Sequence, residues 1–252
     1  MTSTRNGEAP QGHDRAPHHN DRAPRVRWHP MPDAAALEDE AVARIGEAAR
    51  AALAARPRFR IVLAGGSTPR NVYRKLVALP TDWTRWEVYF GDERCVPESD
   101  PQRNDRMAYE TLLAHVPVVE AQVHRIPAER GASVAARSYE RTIAEVDRFD
   151  LVLLGLGEDG HTASLFPGFD RAGAVDAPSV LAVFDAPKPP AERVSLSAER
   201  LSRARRVLFL VTGESKCDAV RRWRAGEAIP AAAIRAADGV DVLVEAGLLG
   251  TA

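Results

Sequence analysis

Apolar residues in this chain fall into short continuous runs, separated by stretches in which they recur with helical spacing. The runs are FRIVLA at 59–64, WEVYF at 86–90, VHRIP at 123–127, FDLVLLGLG at 149–157, VLAVF at 180–184, RVSLS at 193–197, RVLFLVTG at 206–213 and DVLVE at 241–245. Each has the length and composition of a strand. FDLVLLGLG is the most hydrophobic and does not alternate, which predicts a strand buried on both faces. Between the runs, Asp33 caps an Ala-rich helix reaching about Ala55. Further helices are predicted over Arg70–Leu79, with Pro69 in the first turn, over Arg103–Ala114, Ala132–Val146 and Glu214–Arg224. Alternating strands and helices predict an α/β fold, a Rossmann-like mostly parallel sheet flanked by helices. Ligands of such sheets bind beyond the carboxyl ends of the strands.

Composition adds limits. The chain has 252 residues, 45% of them hydrophobic, and a formal net charge of −1. That balance carries no global attraction for nucleic acid or an anionic membrane, so an anionic substrate needs local cations. Cys95 and Cys217 lie far apart, which argues against a disulfide framework or a cysteine zinc site, and a reducing cytoplasm is the simple inference. No apolar run reaches the roughly 18 residues of a membrane span, and the N-terminus lacks the apolar segment of a signal peptide. Residues 1–25 are rich in Arg, His, Pro, Asn and Asp and include His13, His18 and His19. With little to bury, they are expected to form a disordered tail. Residues 26–252 show neither repeat nor linker and are expected to form one catalytic domain.

Candidate chemistry sits at the strand ends. In AGGSTP, Gly65 and Gly66 permit close backbone approach, and Ser67 and Thr68 open a helix whose free N–H groups suit an anion. No Gly-Lys-Ser/Thr follows, so this is not a Walker A loop. GDERC places Asp92, Glu93 and Arg94 after an apolar strand, and an arginine there can grip a phosphate or carboxylate by two bonds. GLGEDGH spells G-x-G-x-x-G over Gly155, Gly157 and Gly160, the dinucleotide fingerprint. Asp185, ending VLAVF, stands near the expected acidic position, but HTASLF before Pro167-Gly168 is too short for the crossover helix that motif requires. The loop is better read as one that presents His161 as a base. APKPPAERVSLS contributes Lys188 between prolines and Arg193 at a strand start, and TGESK contributes Lys216 near a helix N-terminus. Anion sites and a base at strand ends suggest an enzyme acting on a sugar phosphate.

Assembled, LAGGSTPRNVY, WEVYFGDERCVP, DLVLLGLGEDGHTASLFPG, APKPPAERVSLS and TGESK resemble the 6-phosphogluconolactonase family in order and approximate spacing, over Trp28–Glu245. The resemblance implies the sheet of the glucosamine-6-phosphate isomerase class, hydrolysis of 6-phospho-D-glucono-1,5-lactone to 6-phosphogluconate in the oxidative pentose phosphate pathway, and neither metal nor organic cofactor. It implies His161 as the base, with Asp159 orienting it or raising its basicity. On this reading Arg94 and Lys188 are expected to hold the anionic group or polarise the carbonyl, and backbone amides around Gly66 and Ser67 are expected near substrate oxygens. Gly65, Thr68, Asp92, Asn104, Arg193 and Lys216 complete the candidate binding set. The family often has Ser-Asn where this chain has Arg103-Asn104, and Asn104 matches. The expected partner is a small sugar-phosphate lactone, not a nucleic acid or membrane. Amino-sugar phosphate deaminases resemble GxGxDGHxAFNEP at the same loop, with a Glu where this chain has Phe166 and Asp-Glu-Tyr where it has Asp92-Glu93-Arg94. A non-enzymatic sugar-phosphate sensor would carry a DNA-binding module, for which residues 1–25 are too short and proline-rich.

Overall fold

The structure, a computed structural model, describes residues 26–168 and 178–250. The expected tail at 1–25 and its histidines lie outside the described residues. Seven parallel strands form the main sheet, in the order β1 (Val26–Met31), β10 (Val240–Glu245), β9 (Ala204–Val211), β6 (Phe149–Gly155), β2 (Phe59–Leu63), β3 (Trp86–Phe90) and β5 (Val123–His124). β6 is central and buried along almost its whole length, as its unbroken apolar run predicts.

From β2 the chain moves outward through β3 to β5, then returns to β6 on the other side of β2 and moves outward through β9 to β10. The order therefore reverses between β2 and β6. Loops leaving two such strands diverge to opposite faces and open a crevice between them.

Helix α1 (Ala34–Ala55) starts at Asp33, whose carboxylate accepts the Ala36 N–H at 2.8 Å. Its buried residues Leu37, Ala41, Ile45, Ala48, Ala49 and Ala52 form one helical stripe against the sheet. Helix α2 (Ser67–Leu76) begins three residues earlier than the sequence predicts. Gly66, at φ +110°, is the cap, and Pro69 stands third in the helix, where its missing N–H costs nothing. Helices α3 (Asn104–Thr111), α4 (Ala132–Ile143) and α6 (Cys217–Arg224) are shorter than expected, and α5 (Ala198–Ser202) is a short helix with no strong pattern of its own. α6 is preceded by a 3₁₀ turn over Glu214–Lys216.

Two expectations change. GDERC is not a loop: β4 (Asp92–Arg94) is a strand, paired antiparallel with β8 (Arg193–Leu196), which pairs antiparallel with β7 (Val180–Val183). VLAVF and RVSLS thus leave the main sheet for a separate three-stranded one, against which α4 packs. β1 is also unannounced. Pro30 breaks its pattern, and it is tolerated because β1 is an edge strand pairing only with β10.

Candidate active site

The crevice at the reversal point is a cavity of about 300 Å³, at the small end of the range that holds small ligands. Its walls come from the loops after β2, β6 and β9, and from the three-stranded sheet. Gly65, Gly66, Ser67, Thr68, Asp92, Arg94, Asn104, His161, Lys188, Arg193 and Lys216, all nominated from sequence, line it. Asp159 does not; it sits behind His161.

The GLGEDGH loop is built around the imidazole. The Gly157 N–H donates to the His161 carbonyl at 2.8 Å and the Gly160 N–H to the Gly157 carbonyl at 3.0 Å, closing a tight turn. A Cβ on Gly157 would lie 2.0 Å from His161 Nδ1, so the ring packs directly on the bare backbone. Gly160 has φ +90°, and a Cβ there would meet Ile229 Cβ at 2.8 Å. Two of the fingerprint glycines thus serve a histidine, not a pyrophosphate. Among the described residues no helix follows β6 before α5, and Asp185, at φ +57°, lies two residues beyond β7, a strand of the other sheet. Both requirements of dinucleotide binding fail.

Asp159 Oδ1 lies 2.5 Å from His161 Nδ1 and also accepts the His161 N–H at 3.0 Å. Burial alone would raise the Asp159 carboxyl, but the His161 N–H and the imidazole outweigh it and hold the acid below its ordinary value. An ionised carboxylate only accepts, so Nδ1 carries the proton and Nε2 of the neutral ring keeps its lone pair. Burial is the main influence on His161 itself and lowers its basicity; Asp159 opposes this and Lys188 reinforces it. The imidazole is therefore held neutral and oriented, with the Phe166 ring 4.8 Å away.

Cations share the cavity lining with His161. Arg94 donates Nη1 to the Gln102 carbonyl at 2.6 Å, while its buried Nε meets no acceptor among the described residues. Lys188 is 3.7 Å from Glu158 and 45% exposed. Burial lowers Lys216, with Glu158 opposing and Lys188 adding to the effect. The Ser67 and Thr68 N–H groups open α2 with no carbonyl one turn back to accept them. Thr68 Oγ1 lies 2.6 Å from Thr212 Oγ1, tying that helix start to the end of β9.

Asp92 and Asn104, at the cavity wall, belong to a polar network whose other members, Ser164, Glu93, Arg103 and Asp105, the sequence does not nominate for the site. Asn104 Nδ2 donates to the Asp92 carbonyl at 3.0 Å and carboxylate at 3.1 Å, and Ser164 Oγ donates to the same carboxylate at 2.7 Å. The Asn104 amide leaves no room at Gly65, where a Cβ would lie 1.9 Å from its Oδ1. Glu93, fully buried, accepts the N–H groups of Arg94, Asn104 and Asp105, each at 2.8 Å. Burial, with Asp105, pushes its carboxyl up to about 8 against those three donors. Arg103 is buried and paired with Asp105 and Glu129, with Glu93 at 3.6 Å, so it is part of the scaffold beneath Asn104. Among the described residues no group of three or more His, Cys, Asp and Glu side chains could hold a metal ion.

A family model described as glucosamine-6-phosphate isomerases/6-phosphogluconolactonase matches residues 32–243. The chain belongs to this family. Within it, the 6-phosphogluconolactonase of Mycobacterium leprae is 37% identical over 211 residues, 78% of this chain and 84% of that protein. The 6-phosphogluconolactonase of Mycobacterium tuberculosis is 38% identical over 226 residues, 84% of this chain and 87% of its own. Among family structures, the crystal structure of 6-phosphogluconolactonase from Thermotoga maritima superposes with a TM-score of 0.81 at 29% identity, covering 88% of this chain and all of that one. The family's α/β fold, a mostly parallel sheet flanked by helices, is the fold found here.

Proposed function

We propose that this protein hydrolyses 6-phospho-D-glucono-1,5-lactone to 6-phosphogluconate, with water activated by His161. Lactone hydrolysis is supported by relatives named 6-phosphogluconolactonase at 37% and 38% identity over most of the chain. The observation that carries the base assignment is the short Asp159–His161 bond, which directs the free lone pair of Nε2 away from the carboxylate.

Nε2 takes a proton from water as the water oxygen bonds to the lactone carbonyl carbon, and the carbonyl oxygen becomes an oxyanion. The intermediate then breaks its bond to the ring oxygen, which receives the proton from imidazolium and leaves as a hydroxyl. The new acid ionises and releases one proton per turnover. Asp159 stabilises the imidazolium between the two steps. Arg94, Lys188, Lys216 and the Ser67 and Thr68 amides supply the positive potential that receives the substrate's phosphate and the oxyanion.

Phe166 separates this reading from an amino-sugar deaminase, since the carboxylate that supports a ring-opening histidine there is replaced by an apolar ring 4.8 Å from His161. The test is proton release from freshly made lactone, above spontaneous hydrolysis, by the protein and by His161→Ala. Fast release that the substitution lowers on the order of 10²–10⁴-fold supports the reading; release at the spontaneous rate by the unaltered protein rejects it.

A further inference from the structure

Arg193, nominated as a substrate ligand, is otherwise engaged. Its residue is 5% exposed. Nε donates to the Pro190 carbonyl at 3.0 Å, and Nη2 donates to the carbonyls of Lys188 at 2.9 Å and Pro189 at 3.3 Å. Three successive carbonyls of one loop converge on one guanidinium. Its carbon also lies 5.6 Å from the centroid of the Phe166 ring, the ring that packs against His161. Across the ladder, Arg94 keeps a buried Nε with no acceptor among the described residues, whereas Arg193 is committed to its own backbone.

The loop needs that commitment. Pro189 and Pro190 have no N–H to donate, and the turn is closed at its base by the Ala186 N–H to the Ala191 carbonyl at 2.9 Å. Beyond the fixed φ of the flanking prolines, the contacts that place Lys188 among the described residues are the guanidinium fork on its carbonyl and the loose approach of Glu158. A planar fork can bridge several carbonyls at once; an ammonium, a point donor, cannot reproduce the pattern.

We propose that Arg193 is a positioning residue, which acts on the reaction by binding the carbonyls of Lys188, Pro189 and Pro190 and so fixing the Lys188 ammonium relative to His161. The proposal rests on the reading of His161 as base and Lys188 as a substrate cation. The charges that act on the imidazole are Asp159 on its own loop, Lys188 on the proline loop and Asp92 on β4; Arg193 on β8 and Lys216 after β9 line the same cavity, and Glu158 approaches Lys188. Of these, Lys188 lowers the basicity of His161 through its charge. If Arg193 works through Lys188, loosening the loop raises the His161 pKa in the same sense as removing the Lys188 charge.

The experiment compares Arg193→Lys, Lys188→Met and the double variant. The His161 imidazole is titrated directly by NMR, and kcat/KM for the lactone is measured across pH. Arg193→Lys is expected to move the His161 titration to higher pH, as Lys188→Met does, and to lower kcat/KM on the order of tenfold. The double variant should lose no more than Lys188→Met alone, because both changes remove one function. Additive losses, or a loss carried by KM with the titration unmoved, would make Arg193 an independent ligand or mere scaffold and overturn the proposal. Should Arg193→Lys not fold, Arg193→Gln, which keeps two donors on a neutral amide, is read by the same titration against the same outcomes. The NMR readout does not need turnover. An inactive unaltered protein whose His161 still shifts in both variants would reject the lactonase reading and leave the positioning role standing.

Discussion

Arg94 and Arg193 stand directly opposite one another across the antiparallel β4–β8 ladder. Like charges in that relationship repel; burial is what most disfavours the Arg193 charge, with Asp92 opposing it and Arg94 adding to it. Arg193 spends its donors on the proline loop, so in the proposed function Arg94 is the member of the pair that receives the anion. Arg94→Gln is expected to leave the melting temperature unchanged or slightly raised while lowering kcat/KM tenfold or more, the scale of one charge-assisted hydrogen bond of roughly 1.5–3 kcal/mol. Arg94→Lys keeps the charge and should still hurt, because the paired geometry is lost. Thermal melts and steady-state kinetics at matched ionic strength check both.

Gly157 tests the fit of the base to its loop. The added methyl of Gly157→Ala would lie 2.0 Å from Nδ1, so the ring must swing away and break its bond to Asp159. Activity is expected to fall on the order of 10²-fold or more, with a stability loss of only about 1–3 kcal/mol, as for other overpacked sites. Urea unfolding beside the proton-release assay separates the two; a variant of normal rate would show that the imidazole is not held against the backbone.

Asp159→Asn keeps the shape of the loop and removes the charge. The amide can present its NH₂ to Nδ1 and reverse the tautomer, which leaves Nε2 protonated and unable to accept a proton. A fall of about 10²–10⁴ in kcat is expected. Because the carboxylate raises the basicity of His161, its loss should also move the acidic limb of kcat/KM to lower pH. A limb that stayed in place would break the link between the two residues.

The unaltered protein should lose activity in acid at a pH below the ordinary histidine value near 6.5, since burial holds the folded imidazole less basic than that. The same shift sets the sign of a stability effect. The unfolded chain binds a proton at His161 before the folded one does, so this residue's contribution to stability is complete above the unfolded pKa and is lost as pH falls toward the folded pKa. Melting temperatures of the protein and of His161→Gln, compared across that window, should converge as the pH is lowered.

The main sheet, β1 apart, was legible because its strands are mostly continuous apolar runs with helical spacing between them, and the longest helix opens on a side-chain cap at Asp33. The small sheet was not. β4 has three residues, too few for any periodicity, and its partner in β8 lies about a hundred residues away, so nothing local distinguishes DER from a solvated turn. The cavity residues were found because glycines, cations and a histidine at strand ends are unusual enough to notice. Asp159 was found beside them, but its contact with His161 depends on how Gly157 and Gly160 fold the loop back, which spacing alone does not fix. Glu93, Arg103 and Asp105 were hidden for a different reason: charges read as surface until the backbone N–H groups that bury them are known. Ser164 and Thr212 carry no signal at all, being hydroxyls of a common kind.

The two sheets meet at the cavity with different cargoes. The large one brings the base, its carboxylate and the helix-end amides, while the small one brings Arg94, Arg193 and the proline loop that carries Lys188. Under the proposed function, bond-breaking rests on loops of the large sheet, while Arg94 and Lys188, two of the cations that receive the substrate, come from the small sheet and its proline loop. Drift in the short strands could re-tailor which anion is welcomed without disturbing the imidazole, and a lineage built this way can change diet while keeping its chemistry.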